Sequence, residues 1–317
     1  MGNVTVLTPT YNRISDLNKL YESLLAQTVK DFIWMIVDDG SSDNTESAVK
    51  GWIDGGRLDI IYIKQKNGGK HRALNNGIAK IRTPLTFIVD SDDRLTPDAI
   101  SVVEEKYNQH KNEGDICGIS FLRGTSDGGL LSSGKVPVDG MKESFVQCRI
   151  NRNIAGDMAE VWLTRCLREY PFPTFKNEKF LGEDVVWIKM SEKYKLIFYN
   201  NVIYLSDYLD DGLTKNRRQH NIRSPRGCVE RARVFLEADI NMKVKIKAGL
   251  QYIIYGNFAG TPYKQQYRNC PDRLLFTALF VPAEILYRKW KMELNTEIRK
   301  ENDFTGKVGK KFEDHNK

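Results

Sequence analysis

The stretch Leu85-Thr-Phe-Ile-Val-Asp-Ser-Asp-Asp93 combines a short apolar run with three carboxylates that follow it directly. The apolar part predicts a strand, and a helical pattern opened by Thr96-Pro97 comes after the acidic residues. Three earlier strand-like runs, at residues 4–7, 32–37 and 58–63, are each followed by a segment with helical spacing. Four such units within the first 110 residues predict an α/β fold, with a mainly parallel central sheet and helices on both faces.

Polar residues gather at the predicted carboxyl end of each of these strands. They occupy residues 8–12, 38–43, 64–70 and 90–93. Because the carboxyl ends of parallel strands meet at one edge of a sheet, and ligands bind there, we expect the four clusters to form a single site. The sequence therefore predicts a ligand-binding site along the carboxyl edge of the sheet.

The acidic cluster after Val89 is interpreted as a cation site. A lone Asp-x-Asp is more often a solvated turn with a helix cap. Beside three other polar loops, Asp90 and Asp92 are better placed to hold Mg²⁺ or Mn²⁺, which prefer oxygen ligands and can share a diphosphate. Asp38 and Asp39 lie in a turn of their own, where one carboxylate could accept a hydrogen bond from a base N–H or a ribose hydroxyl.

Glycines and basic residues provide candidate phosphate contacts. Asn67-Gly68-Gly69-Lys70 precedes a predicted helix, so its backbone could approach a phosphate at the helix N-terminus, with Lys70 adding a cation. The basic run that contains Thr214, Lys215 and Arg217 is either solvated surface or a lid that clamps a diphosphate. Neither a Walker loop nor a GxGxxG sequence after the first strand occurs.

A second acidic pair, Glu183-Asp184, stands directly before an apolar helical run. The pair can be an acidic first helical turn, which the helix dipole favours. It can also supply a carboxylate that removes the proton of an acceptor hydroxyl. The residues alone leave both interpretations open.

The pattern changes beyond the repeated units. Strand-like runs at residues 116–122 and 196–205 bracket helices predicted near 159–167 and 185–194, and the chain beyond Leu213 is mostly helical. We therefore expect one domain over residues 1–215 and a helical region over residues 216–317.

From Leu213 onward the chain contains 22 Lys and Arg but only 11 Asp and Glu, although the whole chain carries a net charge of only +7. This imbalance indicates an anionic partner, such as lipid headgroups, a diphosphate, an anionic polymer or a nucleic acid.

Composition and the N-terminal sequence favour a cytoplasmic protein. The 317 residues contain five scattered cysteines without zinc-type spacing, which is typical of a reducing compartment. The N-terminus lacks the pattern of a signal peptide, and no apolar run is long enough for a membrane span. Residues 273–291 are apolar with a basic tail, so they form either a buried packing helix or a helix that lies in the membrane surface.

Four motifs together resemble the family 2 inverting glycosyltransferases of the GT-A fold, of the bacterial polysaccharide type. The motifs are Thr8-Pro-Thr-Tyr-Asn-Arg13, Val37-Asp-Asp-Gly-Ser-Ser-Asp43, Asn67-Gly-Gly-Lys-His-Arg-Ala-Leu-Asn75 and Val89-Asp-Ser-Asp-Asp93. Each motif alone is loose, and their order, spacing and placement at strand ends make the set specific. The resemblance covers residues 3–110 and extends through Glu183-Asp184 to about residue 215.

The resemblance implies a metal-dependent, inverting transfer of a sugar from a nucleotide diphosphate, UDP by family habit. The acceptor would be a hydroxyl of a carbohydrate or a lipid-linked glycan in cell-surface polysaccharide synthesis. The donor-binding residues implied in this way are Pro9, Thr10, Tyr11, Asp38, Asp39, Asn67, Gly69, Lys70, Asp90, Ser91, Thr214, Lys215 and Arg217. Asp92 and Asp90 would hold Mn²⁺ or Mg²⁺, and Asp184 would be the catalytic base with Glu183 as its support.

The sequence departs from the family pattern at three points. Leu74 stands where many relatives carry an arginine, just before the last Asn of the third motif. Some relatives supply a histidine metal ligand after the acidic pair, and the nearest one here, His220, is too far along the chain to assign. The QxxRW motif of processive members is absent from the sequence, which favours the addition of one sugar per encounter.

Two other classes of function stay open at this point. A sugar nucleotidyltransferase shares the α/β layout and the acidic metal site, but residues 8–13 contain no glycine-rich loop of the kind such enzymes carry after the first strand. A pI of about 9.0 suggests a basic protein that binds membranes or nucleic acid. The sequence has no recognisable nucleic-acid-binding motif, so we expect no nucleic-acid partner.

Overall fold

The strands of the protein form one mixed sheet. The computed structural model describes residues 2–206 and 217–313, and within the second range it describes side chains over residues 218–296. The strands of the described residues are β1 (Val4–Thr10), β2 (Phe32–Asp38), β3 (Asp59–Lys64), β4 (Leu85–Ile88), β5 (Arg94–Leu95), β6 (Ile116–Gly124), β7 (Met141–Glu143), β8 (Met158–Leu163) and β9 (Lys195–Leu205).

The sheet has the order β3-β2-β1-β4-β8-β6-β9-β5, and β7 pairs with β9 outside this path. The four strands of the predicted repeat, β1 to β4, are all parallel to their neighbours within the repeat. β8 runs antiparallel to β4 and β6, whereas β6 and β9 are parallel. The parallel strand–helix repeat is therefore confirmed, and β8 separates it from the later part of the sheet.

The first helices connect and cover these strands, and the last ones form the helical C-terminal region. They are α1 (Ile14–Leu25), α2 (Thr45–Gly55), α3 (Lys70–Lys80), α4 (Ala99–His110), α5 (Thr164–Glu169), α6 (Asp184–Met190), α7 (Arg217–Arg223), α8 (Pro225–Glu237), α9 (Met242–Phe258), α10 (Tyr263–Asn269) and α11 (Arg273–Glu313). A π-helical segment covers Val146–Asn151. In α1, Leu17, Leu20 and Leu24 are spaced by three and four residues and are fully buried, which places one face of this helix against the core.

The helix predicted near residues 159–167 is wrong. Residues Met158–Leu163 form β8 in the middle of the sheet, and the following Thr164–Glu169 is the short helix α5. A strand buried on both faces presents a continuous apolar run, which periodicity cannot distinguish from a buried helical segment. The side chains of Ala159, Val161 and Trp162 are all buried, as such a central strand requires.

The buried apolar residues form two clusters. The larger cluster fills the space between the sheet and its helices. The smaller one lies among α8, α9 and α11, around Ile253, Ile254 and Phe276, so the predicted helical character of the C-terminal region is confirmed. The predicted domain boundary between residues 215 and 216 falls within residues 207–216, which lie outside the described residues, and it stays a prediction.

From the sequence we expect cysteines typical of a reducing compartment and no membrane span. All five cysteines are buried. Within the described ranges, none of the helices is both long enough and apolar enough to cross a bilayer.

Candidate active site

The predicted site lies where the first strands end side by side. Thr10 at the end of β1 is paired in register with Asp38 at the end of β2. Asp38 is in turn paired with Lys64 at the end of β3. Beyond β4, the N–H of Val89 donates to the carbonyl of Leu7 at 3.0 Å, so the acidic cluster that follows Val89 begins beside β1. The parallel register thus brings the polar loops to one edge of the sheet.

Asp38 shapes the turn that follows β2. Its side chain is fully buried, and its two oxygens accept from the backbone N–H of Ser41 at 2.7 Å and from the hydroxyl of Tyr62 at 2.5 Å. Burial and the adjacent Asp38 carboxylate raise the pKa of Tyr62 well above its ordinary value. The structure therefore gives Asp38 two internal partners, and its contact with a donor stays a prediction.

Asp39 organises the loop before α3. Its Oδ1 accepts from Nε2 of Gln65 and from the N–H of Gly68, both at 2.8 Å, and its Oδ2 accepts from the N–H of Gly69 at 2.7 Å. A carboxylate of the protein thus occupies the glycine-rich N-terminus of α3, where the sequence suggested a phosphate. The two glycine N–H groups hold Asp39 in place and do not point freely at a ligand.

The end of β1 offers an unsatisfied polar group. Thr10 is buried, and its hydroxyl has no hydrogen-bond partner among the residues that the structure describes. Tyr11 beside it exposes about half of its side chain, whereas Pro9 is buried. A buried hydroxyl without a partner is costly unless a ligand or water satisfies it. Asn67 is half-buried on the same edge, and Ser91 is buried next to Asp90.

Lys70 joins three of the predicted motifs. Its Nζ lies 2.5 Å from Oδ1 of Asp90 and 2.6 Å from Oε1 of Glu183. Burial alone would lower the pKa of Lys70, but the two carboxylates raise it well above its ordinary value. The first residue of α3, the acidic cluster after β4 and the residue before α6 therefore converge on one ammonium group.

Asp90 and Asp92 have oxygen atoms suited to a divalent cation. Asp92 forms an ion pair with Nη1 of Arg13, and both side chains are partly exposed. Burial by itself would raise the pKa of Asp90, but Lys70 and Arg123 lower it below its ordinary value. Two carboxylates suit Mn²⁺ or Mg²⁺ when a diphosphate and water complete the coordination. In the part of the chain that the structure describes, no three His, Cys, Asp or Glu side chains form a metal-binding group by themselves.

The third acid of the cluster, Asp93, has a structural role. Its carboxylate accepts from the hydroxyl of Tyr204 at 2.7 Å and from the hydroxyl of Ser206. Burial and the neighbouring Asp90 raise the pKa of Asp93 to about 6. Asp93 therefore ties the acidic cluster to the end of β9.

Asp184, the predicted base, is held by a residue that the sequence did not single out. Nε of Arg231 donates to both carboxylate oxygens of Asp184, at 2.8 and 2.9 Å, and Nη2 donates to Oδ2 at 2.5 Å. Arg231 lies on α8, in the region without motifs, so only its basic character was visible in the sequence. Arg13 was missed as a site residue too, although the first motif contains it.

Two of the predicted loop residues cannot be placed. Thr214 and Lys215 lie outside the described residues, and Arg217 begins α7 with a side chain that is not described. His220, on the same helix, has its ring centroid 6.3 Å from that of Phe180, which is three residues before Glu183. α7 therefore passes close to the segment that leads to the acidic pair.

His71, in the first turn of α3, should make the stability of the protein depend on pH. Burial and the neighbouring Arg72 lower the pKa of His71 to about 4. Because the unfolded chain binds the proton near pH 6.5 and the native state does not, the stabilisation is present above pH 6.5 and is lost as pH falls toward 4. The loss attributable to this side chain is at most about 3 kcal/mol.

Urea unfolding of the wild type and of His71→Gln at pH 7.5 and pH 4.5 measures this contribution. The free energy of unfolding should decrease more steeply in the wild type than in the variant, since only the wild type takes up this proton on unfolding. An equal decrease in both proteins would contradict the assignment of a neutral, buried His71.

Comparison with known proteins also relates this chain to glycosyltransferases. Residues 5–147 match the family model of glycosyl transferase family 2. The GalNAc(5)-diNAcBac-PP-undecaprenol beta-1,3-glucosyltransferase of Campylobacter jejuni is 24% identical over 254 residues, which is 76% of this chain and 76% of that protein. Two other relatives match at 31% and 30% identity: the glycosyltransferase GlyA of Streptococcus pneumoniae and the minor teichoic acid biosynthesis protein GgaB of Bacillus subtilis. This chain spans only 15% and 22% of their lengths.

Solved structures confirm the predicted GT-A fold. Residues 1–349 of S. aureus TarS in complex with UDP-GlcNAc superpose with a TM-score of 0.57 at 16% identity, covering 89% of this chain and 79% of that one. The mannosyltransferase PcManGT from Pyrobaculum calidifontis, in complex with GDP-Man and Mn²⁺, gives a TM-score of 0.55 at 19% identity and covers 92% of this chain and 83% of that one. The four motifs that lie at one edge of this fold all fall within residues 5–147, the part of the chain that is similar to glycosyl transferase family 2.

Proposed function

We propose that the protein is an inverting glycosyltransferase that transfers one sugar per encounter from a nucleotide diphosphate to an acceptor hydroxyl. The observation that carries this proposal is the contact of Lys70 with both Asp90 and Glu183. The contact supports the proposal because it joins Asp90, a proposed diphosphate-binding residue, to Glu183, the neighbour of the proposed base.

The donor is proposed to bind across the ends of β1 and β2. The buried hydroxyl of Thr10 would gain a partner there, and the exposed ring of Tyr11 could lie against the base or sugar. Asp39, Asn67 and Gly69 are proposed to shape this pocket through the loop before α3. We propose a UDP-linked donor by analogy with the UDP-GlcNAc complex of TarS.

The diphosphate is proposed to lie over the acidic cluster. Asp90 and Asp92 would hold Mn²⁺ or Mg²⁺, which neutralises charge on a leaving diphosphate when it is bound. The Mn²⁺ complex of PcManGT supports this choice of ion. Lys70 and Arg13 already contact the two carboxylates and would lie beside the phosphates. Thr214, Lys215 and Arg217 are proposed to contact the same group from the following loop.

The acceptor is proposed to react at Asp184. Its carboxylate takes the proton of the acceptor hydroxyl, and the hydroxyl oxygen attacks the anomeric carbon from the face opposite the diphosphate. The bond from the anomeric carbon to the phosphate oxygen breaks, and its electron pair stays on the nucleoside diphosphate. One displacement therefore inverts the configuration at the anomeric carbon.

The acceptor is proposed to be a lipid-linked glycan used in cell-surface polysaccharide synthesis, as the name of the Campylobacter relative suggests. Such an acceptor would hold the protein at the inner membrane surface. A face of α11 supports this, because four exposed apolar side chains are spaced by seven, four and seven residues. They are Leu274, Val281, Ile285 and Met292, which expose 87%, 64%, 63% and 65% of their surface.

The flanks of the same helix carry both basic and acidic residues. Arg288 and Lys289 are exposed beside the apolar face and pair with Glu284 at 2.9 Å and Glu293 at 4.0 Å. Phe276 and Ala283 on the other side are buried in the smaller core. A helix with one apolar face and basic flanks is typical of in-plane binding to anionic lipids. The helix therefore packs on one side, as a structural helix does, and leaves its other side for the proposed membrane contact.

Vesicle sedimentation tests the proposed membrane contact. The wild type should sediment with phosphatidylglycerol-containing vesicles and much less with phosphatidylcholine alone, because the attraction is partly electrostatic. The triple variant Leu274→Ser, Val281→Ser, Ile285→Ser should lose binding by about tenfold or more, since each exposed apolar side chain contributes on the order of 1 kcal/mol. Ile53→Ser, which alters an exposed apolar residue on α2, is the control. Equal sedimentation of the triple variant and the control would contradict the proposal.

The activity itself is tested by the release of nucleoside diphosphate from a panel of UDP-, GDP- and dTDP-sugars with Mn²⁺. Slow hydrolysis of one donor is expected even without acceptor, since water can take the place of the acceptor hydroxyl. No release from any donor, with or without glycan acceptors, would contradict the proposed transfer reaction.

A further inference from the structure

We propose that Arg231 is a positioning residue that holds the Asp184 carboxylate for proton removal, so that α8 completes the active site. This inference rests on the proposed function, because it assigns a role relative to the proposed base. It adds a residue from the C-terminal region, about which the family motifs say nothing.

The geometry of the pair is that of a fixed ion pair. Three N–H···O contacts of 2.5–2.9 Å join the Arg231 guanidinium to both oxygens of Asp184. Both side chains are about three-quarters buried. The other side of the guanidinium lies over the ring of Phe235, 4.6 Å from its centroid. A planar guanidinium fixed in this way restricts the rotation of the carboxylate that it binds.

Gly182 leaves the space that the pair needs. A Cβ atom at this position would lie 2.8 Å from Oδ1 of Asp184 and 3.1 Å from Cδ of Arg231. Any larger residue would have to push these two side chains aside. A side chain at position 182 would therefore disturb the ion pair.

The backbone before the acidic pair is also attached to α8. Glu178 is buried and accepts from the N–H groups of Arg226 and Gly227 in the first turn of that helix, at 3.0 and 2.8 Å. The N–H of Phe180 donates to the hydroxyl of Ser224 at 3.2 Å. Residues 178–182 thus follow the start of α8 closely before the chain reaches Asp184.

The same segment is attached to the donor side of the site. A Cβ at Gly69 would lie 1.9 Å from the carbonyl oxygen of Lys179, so the start of α3 touches its backbone. Nη2 of Arg72 donates to the carbonyl of Phe175 at 2.7 Å. α3 and α8 therefore hold the segment from two sides, and Arg231 fixes the carboxylate at its end. A base must stand within hydrogen-bond reach of the proton it removes, so its orientation affects the rate more than the binding of the donor.

Steady-state kinetics of Arg231→Met, Arg231→Lys and Lys189→Met test the proposal with whichever donor the wild type uses. Lys189→Met is the matched control, because the Lys189–Glu230 ion pair of 2.6 Å also joins α6 to α8 but does not touch Asp184. Arg231→Met should lower kcat by about a hundredfold, with the affinity for the nucleoside diphosphate nearly unchanged. Arg231→Lys should recover part of the rate, and Lys189→Met should keep the wild-type kcat.

A double-mutant cycle separates positioning from folding. If Arg231 acts through Asp184, adding Arg231→Met to Asp184→Asn should reduce the residual rate no further. Gly182→Ala gives a second route, since it keeps both charges but displaces the pair, and it should lower kcat in the same way. An Arg231→Met enzyme as active as Lys189→Met, or the same rate loss in both backgrounds of the cycle, would overturn the proposal. An inactive wild type would instead contradict the proposed function.

Discussion

Asp184→Asn is expected to lower kcat for sugar transfer by about 10²–10⁴-fold, the usual contribution of a general base. The amide cannot take the proton of the acceptor hydroxyl. The donor pocket, formed by Thr10, Asp39 and Lys70 at the ends of other elements, is left as it is. The rate of steady-state transfer should therefore be lost, whereas the affinity for the nucleoside diphosphate, measured by calorimetry, should be retained.

Glu237→Gln is a suitable control for this variant. Glu237 lies on α8 with Arg231 and pairs with Arg233 at its exposed end, so the change removes a carboxylate close by without altering the acidic pair. Its kcat should equal that of the wild type. Transfer at the wild-type rate by Asp184→Asn would show that another group removes the proton.

Lys70→Met should weaken binding of the nucleoside diphosphate by about 10–100-fold, because a charged hydrogen-bond donor is worth roughly 1.5–3 kcal/mol. The change also leaves Asp90 and Glu183 without the cation that lies between them. The free energy of unfolding should decrease by about 1–3 kcal/mol, less than for a fully buried pair because the Lys70 side chain is 36% exposed.

Calorimetry in the presence of Mn²⁺ measures the first effect, and urea unfolding measures the second. Lys66→Met, an exposed lysine in the same loop, is the control and should change neither quantity appreciably. Unchanged affinity in Lys70→Met would mean that the diphosphate does not lie at the acidic cluster.

The part of the fold that the sequence predicted best is the part with local repetition. Each of β1 to β4 is an apolar run followed by a polar cluster and a helix, so the parallel arrangement and the shared edge follow from chain order. The convergence of Asp90 and Lys70 at that edge follows in the same way. β8 lies outside this repeat of strand, polar cluster and helix, and the sequence pattern wrongly predicts a helix for its apolar run.

Pairings between distant residues were not predictable from the sequence. Asp39 accepts from Gly68 and Gly69, about thirty positions along the chain, and nothing in the glycine pair shows that a protein carboxylate fills the helix N-terminus. Arg231 lies 47 positions from Asp184, in a helix with many basic residues. Which of them faces the acidic pair depends on how α8 packs against α6, and that packing leaves no local pattern.

Titration calorimetry of UDP and GDP into the wild type and into Asp92→Ala, each with Mn²⁺ and with EDTA, would show directly whether the acidic edge binds a nucleoside diphosphate through a cation. We expect one of the two nucleotides to bind the wild type in Mn²⁺, and to bind at least about tenfold more weakly with EDTA or after Asp92→Ala, because two carboxylates and the diphosphate share the ion. Undiminished binding in EDTA and in Asp92→Ala, or no binding of either nucleotide to the wild type, would contradict a cation-bridged donor site at this edge.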